Sequence, residues 1–128
     1  MAGSGDPIDG QVLILTAAKA SVAPARLPKL VDRAQDLLGP QLEQYRREYE
    51  RFHADDDLEV FLTEWGHWES ISDDLDVTDR ELSAIRRAHE EQLLRIGRQT
   101  DREAAFETAL EIREPVCIGI DGDHAAES

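Results

Sequence analysis

The stretch that decides the fold is Trp68–Arg98, WESISDDLDVTDRELSAIRRAHEEQLLRIGR. Trp68, Ile71 and Leu75 stand at i, i+3 and i+7, one face of a short helix. Asp76-Val77 breaks that pattern. Thr78-Asp79-Arg80-Glu81 then has the form Thr-x-x-Glu, in which the Thr78 hydroxyl accepts from the Glu81 amide and the Glu81 carboxylate accepts from the Thr78 amide. Asp79 adds negative charge at the positive end of the helix dipole. An apolar stripe follows: Leu82, Ile85, His89, Leu93 and Ile96. Arg86 with Glu90, Arg87 with Glu91 and Glu91 with Arg95 form i, i+4 pairs on its flanks. Gly97 is the expected end of the helix. The stretch therefore predicts a helix-turn-helix over 68–98.

Upstream, Asp9 is placed to cap a helix from Gly10 to about Ala20. Val12-Leu13-Ile14-Leu15 would equally suit a buried strand, and the alanine-rich continuation decides for helix. Pro24 and Pro28 open a second helix carrying Leu27, Leu30, Val31, Ala34, Leu37 and Leu38, which Gly39 ends. Gln41–His53 reads as one amphipathic helix with Leu42, Tyr45, Tyr49 and Phe52 on a single face. Ala54–Asp57 is a loop and Glu59–Thr63 a short strand. Downstream, Thr100-Asp101-Arg102-Glu103 repeats the Thr-x-x-Glu pattern and predicts a helix from Asp101 to about Ala109. A strand over 104–112 is the alternative. Pro115 stops either element. Val116–Ile120 is a last strand, expected to pair with Val60–Leu62. The fold class is α+β, mostly α: one compact helical domain over 9–120, with the helix-turn-helix at 68–98 and one short two- or three-stranded sheet. Residues 1–8 and 121–128 read as disordered ends.

The chain carries 28 acidic residues against 14 basic ones, a net charge of −14, spread along its length. This argues against general attraction to nucleic acid or to an anionic membrane. Only Lys19 and Lys29 are lysines; the other basic residues are arginines. Abundant carboxylate and scarce lysine fit a cytoplasm holding molar salt, where a Debye length of about 3 Å screens the self-repulsion. The single cysteine, Cys117, excludes an internal disulfide and suits a reducing compartment. The Val12–Leu15 run is too short to cross a bilayer, and no basic residue precedes it, so it reads as neither membrane span nor signal peptide. The expected location is cytoplasmic.

Several long word-like stretches carry a resemblance: Ile8-Asp9-Gly10, Ala18–Ser21, Val60-Phe61-Leu62, Gly66-His67-Trp68, Arg86–Arg98 and Phe106–Glu114. Together the chain resembles a family of short uncharacterised haloarchaeal proteins, a domain of unknown function, over Ile8–Ile120. That resemblance implies salt adaptation and no particular activity. A second, local resemblance covers Ile71–Ser83, which is similar to the helix-turn-helix of DNA-binding regulators, with Asp76 where that family prefers glycine. The order of helix 41–53, strand 59–63, helix 68–75, helix 78–97 and a following β pair is also that of a winged helix.

For DNA, the outward residues would be Arg80, Ser83, Arg86 and Arg87, reaching phosphate or guanine edges. Against this, Trp65–Thr78 holds Glu69, Asp73, Asp74 and Asp76 and no lysine or arginine. For metal, His53 with Asp55–Asp57 lacks zinc-ligand spacing, and the aspartate run lacks the alternation and glycine of a calcium loop. Asp121-Gly122-Asp123-His124 is short. For catalysis, His67 lies near Glu64 and Glu69, without a nucleophile signature or a phosphate-cradling loop. The aromatic stripe of Tyr45, Tyr49 and Phe52 is either a ligand wall or a helix face packed on the core. Cys117 reads as a small core residue.

The expected function is therefore non-enzymatic, with no catalytic, cofactor or metal residues: a protein–protein interaction or assembly module. Its interface would be the long-helix stripe Leu82, Ile85, His89, Leu93 and Ile96, and the partner another protein or a second copy. The alternative is a helix-turn-helix DNA-binding regulator.

Overall fold

The chain turns where the pattern breaks. In the computed structural model, which describes residues 8–120, Asp76 takes a left-handed conformation (φ 55°, ψ 57°), a region aspartate tolerates better than most residues. Its N–H donates to Ser72 O at 3.0 Å. Thr78 and Glu81 form the reciprocal capping box, both hydrogen bonds 3.1 Å long, and open a long helix over Asp79–Gln99. The bend is clamped from outside by the second helix, Arg26–Leu38 (α2). Arg33 Nη1 donates to Leu75 O (3.2 Å) and Asp76 O (3.1 Å), and Arg26 Nε donates to Glu81 Oε2 (3.1 Å). Leu75, Leu82 and Ile85 are buried at the bend, and Ile71 packs beside them.

The described elements run in the order α1 (Gly10–Ala20), α2, a 3-10 turn (Gly39–Gln41), α3 (Leu42–Glu48), β1 (Glu50–Ala54), β2 (Leu58–Thr63), α4 (His67–Ser70), α5 (Ser72–Leu75), α6 (Asp79–Gln99), α7 (Glu103–Ile112) and β3 (Glu114–Gly119). The three strands form one antiparallel sheet in the order β1-β2-β3. β3 pairs with β2, the two strands expected from sequence to pair, in a register that sets Val60 opposite Cys117 and Phe61 opposite Val116. All six residues of β2 are buried. Glu59 is tolerated there because Arg46 of α3 grips its carboxylate with both Nε (2.9 Å) and Nη2 (2.6 Å), which also holds that carboxyl below its usual range. The outer edge of β3 is covered by side chains. Gln35 of α2 donates to Cys117 O (2.7 Å) and accepts from Gly119 N (2.9 Å), and His89 Nδ1 accepts from Cys117 N (2.9 Å). An edge strand whose backbone groups are taken in this way offers no template for another chain.

Helix α6 is the axis: α1, α2, α7 and β3 all pack against it. Asp9 caps α1 by accepting from Gln11 N, and its own N–H donates to Gln92 on α6. Ile8, placed with the disordered N-terminus on sequence grounds, is buried in the core; the other terminal residues, 1–7 and 121–128, lie outside the described part.

Several expectations are corrected. The helix expected over 41–53 stops at Glu48. Tyr49 is extended (φ −126°, ψ 159°), and Glu50–Ala54 forms β1 against β2, with a bulge between Arg51 and His53. Phe52 kept the helical spacing yet points to another destination, stacking on Phe106 of α7 with ring centroids 4.8 Å apart. Pairing with a fully buried neighbour outweighs local periodicity here. The helix expected over 68–75 is two single turns, α4 and α5, parted at Ile71. Thr100 does not cap α7. Its hydroxyl donates back to Ile96 O (2.7 Å), Asp101 turns left-handed (φ 61°), and Arg102 N–H closes on Gly97 O (2.7 Å). This is a C-terminal closure of α6, which runs two residues past Gly97. That glycine answers a packing need: a Cβ there would sit 3.1 Å from Phe106 Cβ. α7 is a helix to Ile112, so the strand alternative over 104–112 fails. Pro115 lies inside β3, an edge strand, where proline is tolerated. Among the described residues no β pair follows the long helix. The hairpin β1–β2 precedes it and the single strand β3 returns to β2, which departs from the winged-helix order.

Candidate binding site around His67

Gly66 starts α4 with φ +91°, and the buried Glu114 at the start of β3 fastens that turn. Its carboxylate accepts from Gly66 N (3.0 Å) and Trp68 N (3.1 Å), while Trp68 Nε1 donates to Pro115 O (3.1 Å). His67 and Trp65 are thereby presented on one side of α4 and Trp68 is driven into the core.

On the His67 side, Tyr45 of α3 lies 2.6 Å from His67 Nε2. Burial pushes the Tyr45 phenol well above its usual range. Burial also lowers the His67 imidazole, partly opposed by the Glu114 carboxylate. Both groups are thus neutral near pH 7, and one hydrogen bond joins the Tyr45 hydroxyl to His67 Nε2. Tyr49 completes an aromatic group, with centroids 5.0 Å from Tyr45 and 5.3 Å from His67, the latter edge-on at 73°. Burial and the carboxylates of Glu48 and Glu64 raise its phenol too. Tyr49, Glu64, Trp65, Gly66, His67 and Ser70 line a cavity of about 250 Å³. Trp65 stands at its rim, 55% exposed, whereas Trp68 is 1% exposed.

On the other side of α4, a cavity of about 320 Å³ is lined by Trp68, Glu69, Asp79, Leu82, Ser83, Arg86 and Glu114. Two of the expected DNA-contacting residues fall here, and the setting is acidic. Arg86 reaches inward, with Nη1 3.7 Å from Glu114 and Nε 3.9 Å from Glu90, so its guanidinium is directed at carboxylates of its own chain. Arg80, Ser83 and Arg87 are exposed on the outer face of α6.

The residues expected to form an interface are placed differently. Leu82, Ile85, His89, Leu93 and Ile96 are all buried within the chain and form the floor on which α1, α2, α7 and β3 pack. A stripe covered on every side by its own domain is unavailable to a partner. His89 is part of that core. Its Nδ1 accepts from Cys117 N, so its proton sits on Nε2, for which no hydrogen-bond acceptor is present. The Trp68 ring centroid is 4.6 Å away, and burial lowers the imidazole to about 3. Cys117 is fully buried with its thiol pushed up by burial, the environment of an inert core residue. Asp55 serves the β1–β2 turn, accepting from Asp57 N (2.8 Å) and Leu58 N (3.0 Å) with Oδ1 while Oδ2 meets His53 Nε2 (3.1 Å). The Asp121–His124 cluster lies outside the described residues. Among the described helices, none is long and apolar enough to cross a membrane.

Sequence reading placed Tyr45 and Tyr49 in one stripe but did not join His67 to them. Twenty-two positions part Tyr45 from His67, and only the unexpected end of α3 at Glu48 brings Tyr49 beside the α4 turn. Glu114 carried no signal at all.

The fold and site define a mostly helical α+β domain with a small antiparallel sheet and an aromatic-lined cavity. The chain belongs to the family described as Domain of unknown function (DUF8048), whose model matches residues 6–120. No curated protein and no solved structure matches it.

Proposed function

We propose that this domain is a non-enzymatic protein–protein assembly module of a salt-rich, haloarchaeal cytoplasm, and that it meets a second copy of itself through α1. The observation that carries this reading is the outer face of α1. Ile14 and Leu15 are adjacent there and 61% and 62% exposed. The helix holds one charged residue, Lys19, in a chain whose net charge is −14. Two copies so acidic repel each other wherever salt does not screen them, and α1 itself carries no carboxylate. The groove beside it, between α1 and α6, is rimmed by Lys19, Arg95, Arg98 and Glu91; Arg95 pairs with Asp9 (3.5 Å) and Arg98 with Glu103 (3.9 Å), so the charges there nearly balance in a chain of net charge −14. Apolar contact beside a charge-balanced rim suits a second acidic copy, and molar salt screens the repulsion that remains. Sedimentation equilibrium in molar KCl tests it. A mass above the 14.4 kDa of one chain, returned to one chain by Leu15→Arg, supports the reading; a monomer at every concentration overturns it.

The second reading, a helix-turn-helix DNA-binding regulator, rests on Arg80, Ser83 and Arg87 sharing the exposed face of the first three turns of α6, directly after the bend. Binding to genomic DNA fragments at two salt concentrations tests it. Specific binding lost in Arg80→Ala and Arg87→Ala supports it, and no specific binding at either salt removes it.

A further inference from the structure

We propose that the cavity bounded by Tyr49, Trp65 and His67 is a binding site for a small organic cation bearing a quaternary ammonium group. Three aromatic side chains converge on one space, Tyr49 from just past the end of α3, Trp65 from the loop between β2 and α4 and His67 from the start of α4, and Glu64 supplies a carboxylate at its wall. Aromatic faces carry negative potential and attract a diffuse positive charge. The ring arrangement is fixed from behind. Tyr45, buried beneath, holds His67 through its hydroxyl and lies 5.5 Å from it, ring to ring, at 88°. Glu114 secures the backbone on both sides of His67. A neutral imidazole held in this way is a third aromatic wall and no rival charge.

The charges of the surroundings select the ligand class. Glu48 and Glu64 act on Tyr49, and Glu114 acts on His67, so an anion is repelled. A hard metal ion wants six to eight oxygen ligands. This wall offers the Glu64 carboxylate and the Ser70 hydroxyl, the latter already donating to His67 O, and among the described residues no three His, Cys, Asp or Glu side chains converge to hold a metal. At about 250 Å³ the space is smaller than the cavities that take drug-sized molecules, which run roughly 300–1,000 Å³. A head group of a few heavy atoms fits that scale.

The test uses the full chain in KCl at fixed ionic strength, titrated with choline, with its neutral isostere 3,3-dimethylbutan-1-ol, and with the amide of N-acetyl-trimethyllysine. The readouts are the Trp65 indole and the Gly66 and His67 amide signals in NMR. We expect saturable shifts with choline or with the lysine derivative, and about tenfold weaker binding of the isostere, the scale of one desolvated cation–π contact. Which cationic probe binds more tightly tells whether the group is free or carried on a peptide. Trp65→Ala weakens binding about tenfold while melting as wild type does, because its side chain packs little on the core, and Glu64→Gln weakens it less. Shifts that stay linear for both cations up to about 100 mM, far beyond a useful Kd, or equal affinity for the isostere, overturn the proposal.

Discussion

Two apolar helix faces in this domain met opposite fates. The face of α6 belongs to a heavily charged helix and reads on sequence as a seam for a partner, yet Leu82, Ile85, His89, Leu93 and Ile96 are buried by the chain's own elements. The α1 helix is apolar nearly all round and reads as core, yet Ile14 and Leu15 are left bare. Periodicity shows that a face is apolar; what covers it depends on elements distant in sequence. α6 is covered because β3 and α7 return to it and α1 lies across it. α1, first in order, receives a neighbour on one side only.

That contrast can be broken by substitution. Leu93→Ala removes a fully buried side chain of α6 and is expected to cost about 2–5 kcal/mol in denaturant unfolding. A loss below about 1 kcal/mol would mean the α6 face is less tightly covered than described.

The next effect is a pH dependence centred on His89. Its folded value near 3 lies below the ordinary 6.5, so the unfolded chain takes up a proton that the folded chain refuses. The stability at stake is whole above pH 6.5 and drains as pH falls from there towards 3, by about 1.4 kcal/mol per unit within the window. His89→Asn keeps an acceptor for the Cys117 amide without the titration, so unfolding midpoints between pH 6.5 and 4.5 should fall less steeply in the variant. Equal slopes would place His89 outside the core.

Thr78→Ala removes the capping hydroxyl at the bend and should cost about 1 kcal/mol. Smallest of all, Leu15→Ser should change the stability of the dilute monomer by no more than about 0.5 kcal/mol. A cost as large as that of Leu93→Ala would show the two faces to be alike.

The part of the fold legible in sequence was the part set by neighbours. The bend at Asp76, the Thr78–Glu81 box, the Asp9 cap and the pairing of the Val60–Leu62 and Val116–Ile120 segments follow from local chemistry and short apolar runs. The misreadings arose where one pattern served two masters. Phe52 holds helical spacing from Tyr45 and Tyr49 but packs on Phe106 from a strand. Thr100 and Glu103 have capping-box spacing, but the Thr100 hydroxyl closes the preceding helix. The aromatic cavity was out of reach for the same reason. It needs α3 to end at Glu48, and it needs Glu114, far along the chain, to bind the Gly66–Trp68 backbone.

Methyl NMR across protein concentration in molar KCl compares the two faces in one sample. Concentration-dependent shifts at the Ile14 and Leu15 methyls, with Ile85 and Leu93 unmoved, are the expected result. Shifts at Ile85 and Leu93 with Ile14 and Leu15 unmoved would contradict the account, because the covered face would then be the one that meets a partner.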